Sequence, residues 1–395
     1  MARRIAVGCL VVVAAVFAAS GRGSAAGGVE GVLDRVLPAG ASGTLVAVRG
    51  GETLHCGGFG MADRAARVPA SCDTVYDVMS MTKQFTATAI VKLETMGRLR
   101  VTDPIGRYLG PVPADKRAIT VQQLLTHTSG LVEALGGDYE RLSRRGMVAR
   151  ALASRLRSAP GAEHRYSNVG YSLLAAIVEQ ASGMGYERFL ATHLFAPAGM
   201  TQTGYVLPRW KRTRVAVEYD AHGRPHGRPF DHPWAADGPY WNLRGNGGML
   251  STARDMARWH RALQGGRILD ARAKRELLAP RVREEPGGDA FYGYGWVVQR
   301  TAAGKVVWHN GGNAWSYGEL TRLPGDGTMV FWVTNRSRDA AARWSFERIG
   351  PKLTRGVVRA VSGRPRRACA RGCRTPCPSL RGESGRPPRP TGRCA

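Results

Sequence analysis

The chain has 395 residues, 43% hydrophobic and 22% charged, which is typical of a folded globular protein and excludes a disordered or fibrous one. The formal net charge of +27 makes nucleic-acid binding a candidate function. However, eleven arginines and one glutamate fall between Arg355 and Ala395, and no recognised nucleic-acid module occurs elsewhere. We therefore expect no nucleic-acid partner.

Residues 1–26 have the pattern of a bacterial secretory signal peptide. Arg3 and Arg4 precede an apolar run from Ile5 to Ala19, and small residues follow this run. The run is too short to span a bilayer comfortably, and no later segment is long and apolar enough to do so. These features predict a secreted or periplasmic protein without a stable membrane span.

The first elements expected after this segment are two strands and a helix. The strands flank a Gly-Gly turn at 50–51 in the segment "GTLVAVRGGETLHCGGF". Apolar residues at three- and four-residue spacing then predict a helix from Ser80 to Met96, which Gly97 ends. In the first turn of such a helix, Lys83 shares a face with Ser80.

Helices dominate the middle of the sequence, and strands return near its end. Thr120 and Gln123 predict a capping box, and further helices are expected from Gly170 to Gly183 and from about Ser251. Four segments rich in aromatic and β-branched residues follow, separated by glycines, and they predict an antiparallel meander. Residues 339–355 are expected to form a closing helix.

This order of elements predicts an α+β fold with two lobes. An antiparallel sheet from both chain ends is flanked by helices, and a mostly helical lobe is inserted between its halves. We place one folded domain at residues 27–358, with the sheet lobe at 27–79 and 288–358 and the helical lobe at 80–287. Residues 359–395 read as a basic low-complexity tail.

Cysteines and histidines give no clear metal pattern. Cys56 and Cys72 either form a disulfide after export or remain as buried thiols, and the sequence favours neither. Two further groups lack the spacing of common metal sites, namely Cys369, Cys373, Cys377 and Cys394 in the tail and His222, His226 and His232 in a Gly/Pro-rich loop. We therefore predict no metal and no other cofactor.

Ser80 and Lys83 are candidates for a nucleophile and its base. A serine hydroxyl is a weak nucleophile until a base removes its proton, and a lysine is a base only where its surroundings keep it partly neutral. The helix N-terminus would also direct backbone N–H groups at Ser80, where they could stabilise an oxyanion. On its own, however, the pair favours two polar residues on a helix face.

Two later motifs strengthen the catalytic interpretation. The segment "HRYSNVGY" contains Tyr166, which could relay protons, and Asn168, whose amide could hold a substrate carbonyl. The segment "VVWHNGGNAW" places His309 and Gly311 on a strand edge, followed by Gly312. The glycines would let a substrate backbone lie close, and the Gly312 N–H could be a second oxyanion donor.

In this order, the three motifs resemble those of the penicillin-recognising serine hydrolases. This family includes class C β-lactamases, D-alanyl-D-alanine carboxypeptidases with a Tyr-Ser-Asn motif, D-aminopeptidases and related esterases. The segments "LLTHTSGL", "GNGGMLSTARDMARW" and "YGYGW" are also similar to family segments in family order. The resemblance covers roughly residues 30–350. It implies a β-lactamase/transpeptidase-like fold with the site in the cleft between sheet and helices.

The resemblance also implies a role for each motif residue. Ser80 would be the acylated nucleophile, Lys83 its base and Tyr166 the proton shuttle. The implied substrate-binding residues are Asn168, His309, Asn310 and Gly311, and the oxyanion hole would consist of the Ser80 and Gly312 N–H groups. Within "LLTHTSGL", Ser129 and His127 are interpreted as structural loop residues.

The sequence departs from class C β-lactamases in its third motif, where His309-Asn310-Gly311 replaces Lys-Thr-Gly. Asn310 removes the hydroxyl that would bind a substrate carboxylate, which favours an ester or peptide-like amide over β-lactams or D-alanyl-D-alanine peptides. The expected partner is thus a small-molecule or peptide-like acyl substrate, and the sequence does not predict an oligomeric state. The alternative is an inactive peptidoglycan- or ligand-binding protein on the same fold.

Overall fold

A single antiparallel sheet, built from both ends of the chain, organises the computed structural model, which describes residues 28–363. Its strands are β1 (Gly43–Arg49), β2 (Glu52–Phe59), β3 (Val282–Arg283), β4 (Ala290–Tyr292), β5 (Val297–Thr301), β6 (Gly304–Gly312), β7 (Tyr317–Leu323) and β8 (Thr328–Thr334). Their spatial order is β3-β4-β5-β6-β7-β8-β1-β2, so the last strand pairs with the first. The N-terminal hairpin thus completes a sheet begun by the C-terminal meander.

Helices cover both faces of this sheet. They are α1 (Val29–Val36), α2 (Thr82–Thr95), α3 (Gly106–Leu109), α4 (Val121–Leu125), α5 (Arg144–Ala153), α6 (Asn168–Ser182), α7 (Tyr186–Leu190), α8 (Ala196–Ala198), α9 (Ala253–Gln264), α10 (Ala271–Leu277) and α11 (Phe346–Ser362). Helices α1 and α11 pack on one face around Trp332 and Leu353. Helices α2 and α9 lie on the other face, where Phe85 and Trp259 join the larger core.

Short elements complete the described fold. Short helical turns occupy Met79–Met81, Ala114–Lys116, Ala191–Phe195, Arg212–Arg214 and Pro229–Asp231. Two-residue and three-residue strands pair at Met61–Asp63 with Val68–Pro69, Tyr76–Asp77 with Leu250–Ser251, Glu218–Tyr219 with Pro225–Gly227, and Trp234–Ala235 with Gly238–Pro239. The pairing of Tyr76–Asp77 with Leu250–Ser251 joins the start of α2 to the start of α9.

These elements confirm the predicted α+β architecture and most of its local signals. The hairpin turns at 50–51, and the four late segments form strands β5–β8 of the antiparallel meander. Thr120 and Gln123 make both bonds of the capping box, and Gly183 ends α6 with φ +72°. The Thr252 side chain caps α9 by accepting the Asp255 N–H.

The closing helix was placed wrongly by the sequence pattern. It spans Phe346–Ser362 instead of 339–355, because the Ser345 side chain caps it by accepting the Arg348 N–H. It also continues past the expected domain end at residue 358. Val361 is 1% exposed and packs with the core beneath the sheet. The packed chain therefore reaches at least Ser362.

Several other expectations can be compared with the described residues. Cys56 and Cys72 form a disulfide and are not the buried thiols that the sequence also allowed. Within residues 28–363, no three His, Cys, Asp or Glu side chains are grouped so that they could hold a metal ion. No helix of that range is both long and apolar enough to cross a bilayer. The predicted signal peptide (residues 1–26) and residues 364–395 of the tail lie outside the described residues.

Candidate active site

Ser80 lies in the turn that leads into α2, and the residues around it hold this turn in place. The Asp77 carboxylate accepts the Met79 N–H at 2.6 Å, and the Val78 N–H donates to the Met249 carbonyl at 2.8 Å. Met79 has φ +49°, a conformation that non-glycine residues adopt only where their surroundings impose it. Met79 is buried, whereas Ser80 stays partly exposed. The turn thus presents the serine to the cleft.

Lys83 is fully buried one helical turn after Ser80. Its Nζ lies 3.2 Å from the Ser80 Oγ, 2.8 Å from the Asn168 Oδ1 and 2.7 Å from the Asn246 carbonyl oxygen. Asn168 is held by its position at the start of α6, where Ser167 caps the helix by accepting the Gly170 N–H. The structure therefore brings the predicted residues Ser80, Lys83 and Asn168 together.

Tyr166 lies beside this amine, and His127 supports it from behind. The Lys83 Nζ is 4.8 Å from the centre of the Tyr166 ring. His127 is buried, its ring centre lies 4.3 Å from that of Tyr166, and its Nδ1 accepts the Ser167 N–H at 3.0 Å. Burial is the main cause that lowers the pKa of His127 well below its usual value, so it packs here as a neutral ring.

His309 projects from β6 toward the same cluster and is held as a neutral imidazole. Its Nδ1 donates to the Asn310 carbonyl at 2.5 Å, which leaves Nε2 to accept the Tyr292 hydroxyl at 3.1 Å. Burial lowers the pKa of His309 to about 3, and the nearby charge of Lys83 acts in the same direction. His309 therefore adds no positive charge to the cleft at neutral pH.

Gly311 lets β6 pack directly on the turn that carries Ser80. A Cβ atom at this position would lie 2.7 Å from the Ser80 backbone nitrogen and 2.8 Å from the Met79 Cβ. Side chains on a strand alternate between faces, so Gly311 shares the cleft face with His309. Its contribution is this close approach of strand and turn.

The Gly312 N–H points toward the open edge of β6. The Asn313 N–H donates across the hairpin to the Ser316 carbonyl at 3.0 Å, so the alternation of a strand directs the preceding N–H to the opposite edge. On that edge, β5 pairs with β6 only as far as Trp308. The N–H groups of Ser80 and Gly312 are thus available on either side of the Gly311 contact.

Asn310 is the predicted site residue that the structure does not bring into the cleft. Its side chain lies on the opposite face of β6 from His309, where its Nδ2 donates to the Tyr317 hydroxyl at 2.8 Å. The Tyr317 ring packs against Trp332 beneath the sheet. The sequence interpretation of Asn310 as a side-chain contact to substrate is therefore not supported by this placement.

Sequence reasoning missed two residues that shape the site, Asn246 and Tyr292, and it named a third, His127, only as a structural loop residue. The Asn246 carbonyl accepts from Lys83, and its side chain donates to the Ser172 Oγ at 2.8 Å. The Tyr292 hydroxyl donates to the Nε2 of His309, and His127 supports Tyr166. All three lie in the segments "GNGGM", "YGYGW" and "LLTHTSGL", whose family likeness was the signal that could have marked them.

Comparisons with known proteins agree with this geometry. The family model described as Beta-lactamase matches residues 30–349. Penicillin-binding protein 4* of Bacillus subtilis is 29% identical over 339 residues, which cover 82% of this chain and 74% of that protein. A protein of the same bacterium that is named Putative penicillin-binding protein PbpX is 32% identical over 259 residues, covering 66% of this chain and 62% of that protein.

Among solved structures, the chain is similar to D-amino acid amidase from Ochrobactrum anthropi SV3, solved in complex with L-phenylalanine amide. The TM-score is 0.69 and the sequence identity is 25%, over 85% of this chain and 97% of that one. Sequence and fold comparisons therefore lead to the same group of proteins as the site geometry.

Proposed function

Since the chain belongs to the Beta-lactamase family of serine hydrolases, we propose that it is an exported enzyme that hydrolyses an ester or a peptide-like amide through a covalent acyl-enzyme on Ser80. The observation that carries this proposal is the placement of the Lys83 Nζ 3.2 Å from the Ser80 Oγ, with two further acceptors on the same amine. Export rests on the signal-peptide pattern of residues 1–26.

The surroundings of Lys83 suit a general base. The Asn168 Oδ1 and the Asn246 carbonyl can accept the two N–H groups of a neutral amine, which leaves its lone pair for the Ser80 O–H. Ser80 Oγ then attacks the substrate carbonyl carbon while its proton passes to the Lys83 Nζ. The Ser80 and Gly312 N–H groups stabilise the oxyanion that forms.

Tyr166 would complete proton transfer between Lys83 and the leaving group. Its ring lies next to the Lys83 Nζ, and the buried His127 ring packs against it. The leaving alkoxide or amine takes up the proton as the tetrahedral intermediate collapses to the acyl-enzyme. A water molecule then attacks the Ser80 ester with the same groups acting in reverse, which releases the acid and free enzyme.

The third motif, His309-Asn310-Gly311, is uncharged, which favours substrates that present no carboxylate to the edge of β6. The imidazole of His309 is uncharged, and the Asn310 side chain faces away from the cleft. Recognition of a carboxylate usually relies on a cation or a hydroxyl. An ester or an amide without a terminal carboxylate is therefore our proposed substrate, ahead of β-lactams and D-alanyl-D-alanine peptides.

Active-site labelling tests this proposal. A fluorophosphonate probe should form an adduct on Ser80 that peptide mass spectrometry locates. Ser80→Ala should abolish labelling, and Lys83→Ala should slow it by about 100-fold or more, because a positioned general base contributes 10²–10⁴-fold. Labelling of another residue, or no labelling of folded protein by any acylating probe, would favour the inactive ligand-binding alternative.

A further inference from the structure

A cavity that is partly open to solvent lies between α9 and the N-terminal hairpin. About 110 Å³ of it is open to groups the size of a water molecule, and we name it the α9–β2 cavity. One water molecule needs about 10–15 Å³ of such space, so the cavity can hold several waters or one small oxyanion. Strand β2 lies four positions from β6 in the sheet, which is roughly 19 Å, so this cavity is separate from the candidate active site.

Three arginines of α9 line the α9–β2 cavity. Arg254, Arg258 and Arg261 follow one another at four- and three-residue spacing, which places them on one face of the helix. The rest of the lining carries no charge and consists of Val46, Thr53, Cys56 and Ala257. Like charges at this helical spacing repel one another, and an anion between the guanidinium groups would relieve that repulsion.

Two carboxylates contact these arginines without lining the cavity. The Arg254 Nε donates to the Asp73 Oδ1 at 2.8 Å, and the Arg258 Nη1 donates to the Asp255 Oδ1 at 2.7 Å. Asp73 also lies 3.9 Å from the Nη2 of a further arginine, Arg214. The carboxylates therefore neutralise only part of the positive charge around the cavity.

Arg261 has no carboxylate within 4 Å in the part of the chain that the structure describes. Its Nε donates to the Gly51 carbonyl at 2.8 Å, and its Nη2 donates to the Thr53 hydroxyl. Burial lowers the pKa of Arg261, and the charge of Arg258 acts in the same direction. Together with Arg214, the three lining arginines share two carboxylates, which leaves an excess of two positive charges.

All three lining guanidinium groups keep N–H groups for a ligand. A guanidinium carries five N–H groups, and the contacts above use one of Arg254, one of Arg258 and two of Arg261. Their planar donor forks match the geometry of phosphate and carboxylate oxygens. A phosphate monoester offers three acceptor oxygens and a charge of about −1.5 to −2, whereas a carboxylate offers two oxygens and one charge. The excess charge and the number of donors therefore favour phosphate.

We propose that the α9–β2 cavity is a binding site for a phosphate group, either the free ion or the terminal phosphate of a larger molecule. Arg258 and Arg261 bind its oxygens from the helix, and Arg254 adds a third positive charge at the same face. The open side of the cavity admits a phosphate that is attached to a larger molecule. This site is independent of the acyl-enzyme chemistry at Ser80.

Isothermal titration calorimetry of the full-length protein tests this inference. Inorganic phosphate, glycerol 3-phosphate and acetate would be titrated separately at constant ionic strength. We expect inorganic phosphate to saturate one site per chain and acetate to bind about tenfold more weakly or less, because it has fewer acceptor oxygens and less charge. Glycerol 3-phosphate that binds at least as tightly as inorganic phosphate would assign a phosphate on a larger molecule, and weaker binding would assign the free ion.

Substitutions of single arginines separate this site from the overall charge of the protein. Arg258→Gln and Arg261→Gln should each weaken phosphate binding about tenfold or more, because each removes charge-assisted hydrogen bonds. Arg145→Gln on α5 is the matched control, since it removes the same charge from an exposed arginine elsewhere, and it should leave the Kd unchanged. Urea unfolding would check that each variant is folded. If Arg258→Gln fails to fold because Asp255 loses its partner, Arg261→Gln decides alone.

Three results would overturn the inference. Titration of phosphate without saturation would show only attraction to the net charge of +27, and so would equal weakening by Arg145→Gln. Acetate that binds as tightly as phosphate would contradict the proposed ligand class. None of these results depends on labelling of Ser80, so the proposed function is tested separately.

Discussion

The charge state of single side chains decides what this cleft can attract. Lys83 supplies the buried amine at its centre, whereas His309 is a neutral imidazole because it is buried. The Tyr292 hydroxyl and the Asn310 carbonyl occupy both ring nitrogens of His309, which fixes one tautomer. Burial raises the pKa of the Asp77 carboxyl, three residues before Ser80, and the nearby charges of Glu218 and Asp138 act in the same direction.

His309 should make the stability of the protein depend on pH. Its pKa is about 3 in the folded state and about 6.5 in an unfolded chain, so unfolding takes up a proton between these values. The stabilising effect is fully present above about pH 6.5 and is lost as pH falls toward 3. The free energy of unfolding should therefore decrease by about 1.4 kcal/mol per pH unit in this window from His309 alone.

Urea unfolding at pH values from 7.5 to 4 would measure this dependence. Burial also lowers the pKa values of His127, His164 and His260, so the wild-type slope should exceed that of one site. His309→Gln should reduce the slope by about one proton, and the exposed His222→Gln should leave it unchanged. Equal slopes for wild type and His309→Gln would contradict the assignment of a neutral buried imidazole.

At the scale of elements, the site depends on how β6 meets the turn before α2. The turn is fixed by Asp77 and by the pairing of Tyr76–Asp77 with Leu250–Ser251, while β6 is fixed by the sheet. The two meet at Gly311, where there is no room for a side chain. The spacing between the Ser80 and Gly312 N–H groups is therefore set by packing between two rigid elements.

Gly311→Ala should separate these elements and weaken catalysis. The new Cβ would lie 2.7 Å from a backbone nitrogen, so strand and turn must move apart. A displacement of about 1 Å in an active site can cost about 100-fold, and we expect a loss of this size in kcat/KM. Overpacking should also lower the free energy of unfolding by about 1–3 kcal/mol.

A control glycine lies in the β7–β8 turn. A Cβ at Gly325 would meet no atom within 4 Å, so Gly325→Ala should leave both stability and kcat/KM near the wild-type values. Ester hydrolysis gives kcat/KM, and urea unfolding of the same preparations gives the free energy of unfolding. Wild-type kcat/KM in Gly311→Ala would show that the oxyanion donors do not depend on this contact.

At the scale of the whole molecule, local sequence signals predicted the helices and strands better than they predicted the contacts between them. Periodicity and caps located α2, α4, α6 and the meander, because each depends on residues a few positions apart. A sheet shared by both chain ends followed only from the order of elements and the family resemblance, and neither predicted that β1 pairs with β8. The alternation of a strand already places Asn310 on the opposite face from His309, but its contact with Tyr317 depends on how β6 and β7 are aligned, which the sequence does not show.

The same limit explains the site residues that were missed. Asn246 reaches Lys83 across 163 positions of sequence, and Tyr292 reaches His309 from a neighbouring part of the sheet. Neither residue carries a chemical pattern of its own, and only the family likeness of the surrounding segments could have marked them. Their roles appear only when the helical part of the chain packs on the sheet.

The end of the packed domain gives the last prediction. Val361 is 1% exposed, and the Arg49 Nη1 donates to the Val361 carbonyl at 3.0 Å and the Ser362 carbonyl at 2.7 Å. A chain that ends at Val358 loses this buried valine and both bonds. Its free energy of unfolding should fall by about 2 kcal/mol or more, since burial of a valine alone contributes about 1.5–3 kcal/mol.

A chain that ends at Gly363 should keep the full stability, because it retains all of α11. The sequence after Gly363 is also low in complexity and lacks helical or strand periodicity. Urea unfolding of the full chain and of both shortened chains would compare the three directly. We expect the full chain and the Gly363 chain to agree within about 0.5 kcal/mol, and the Val358 chain to be less stable. Loss of cooperative unfolding in the Gly363 chain would show that residues of the tail belong to the folded domain.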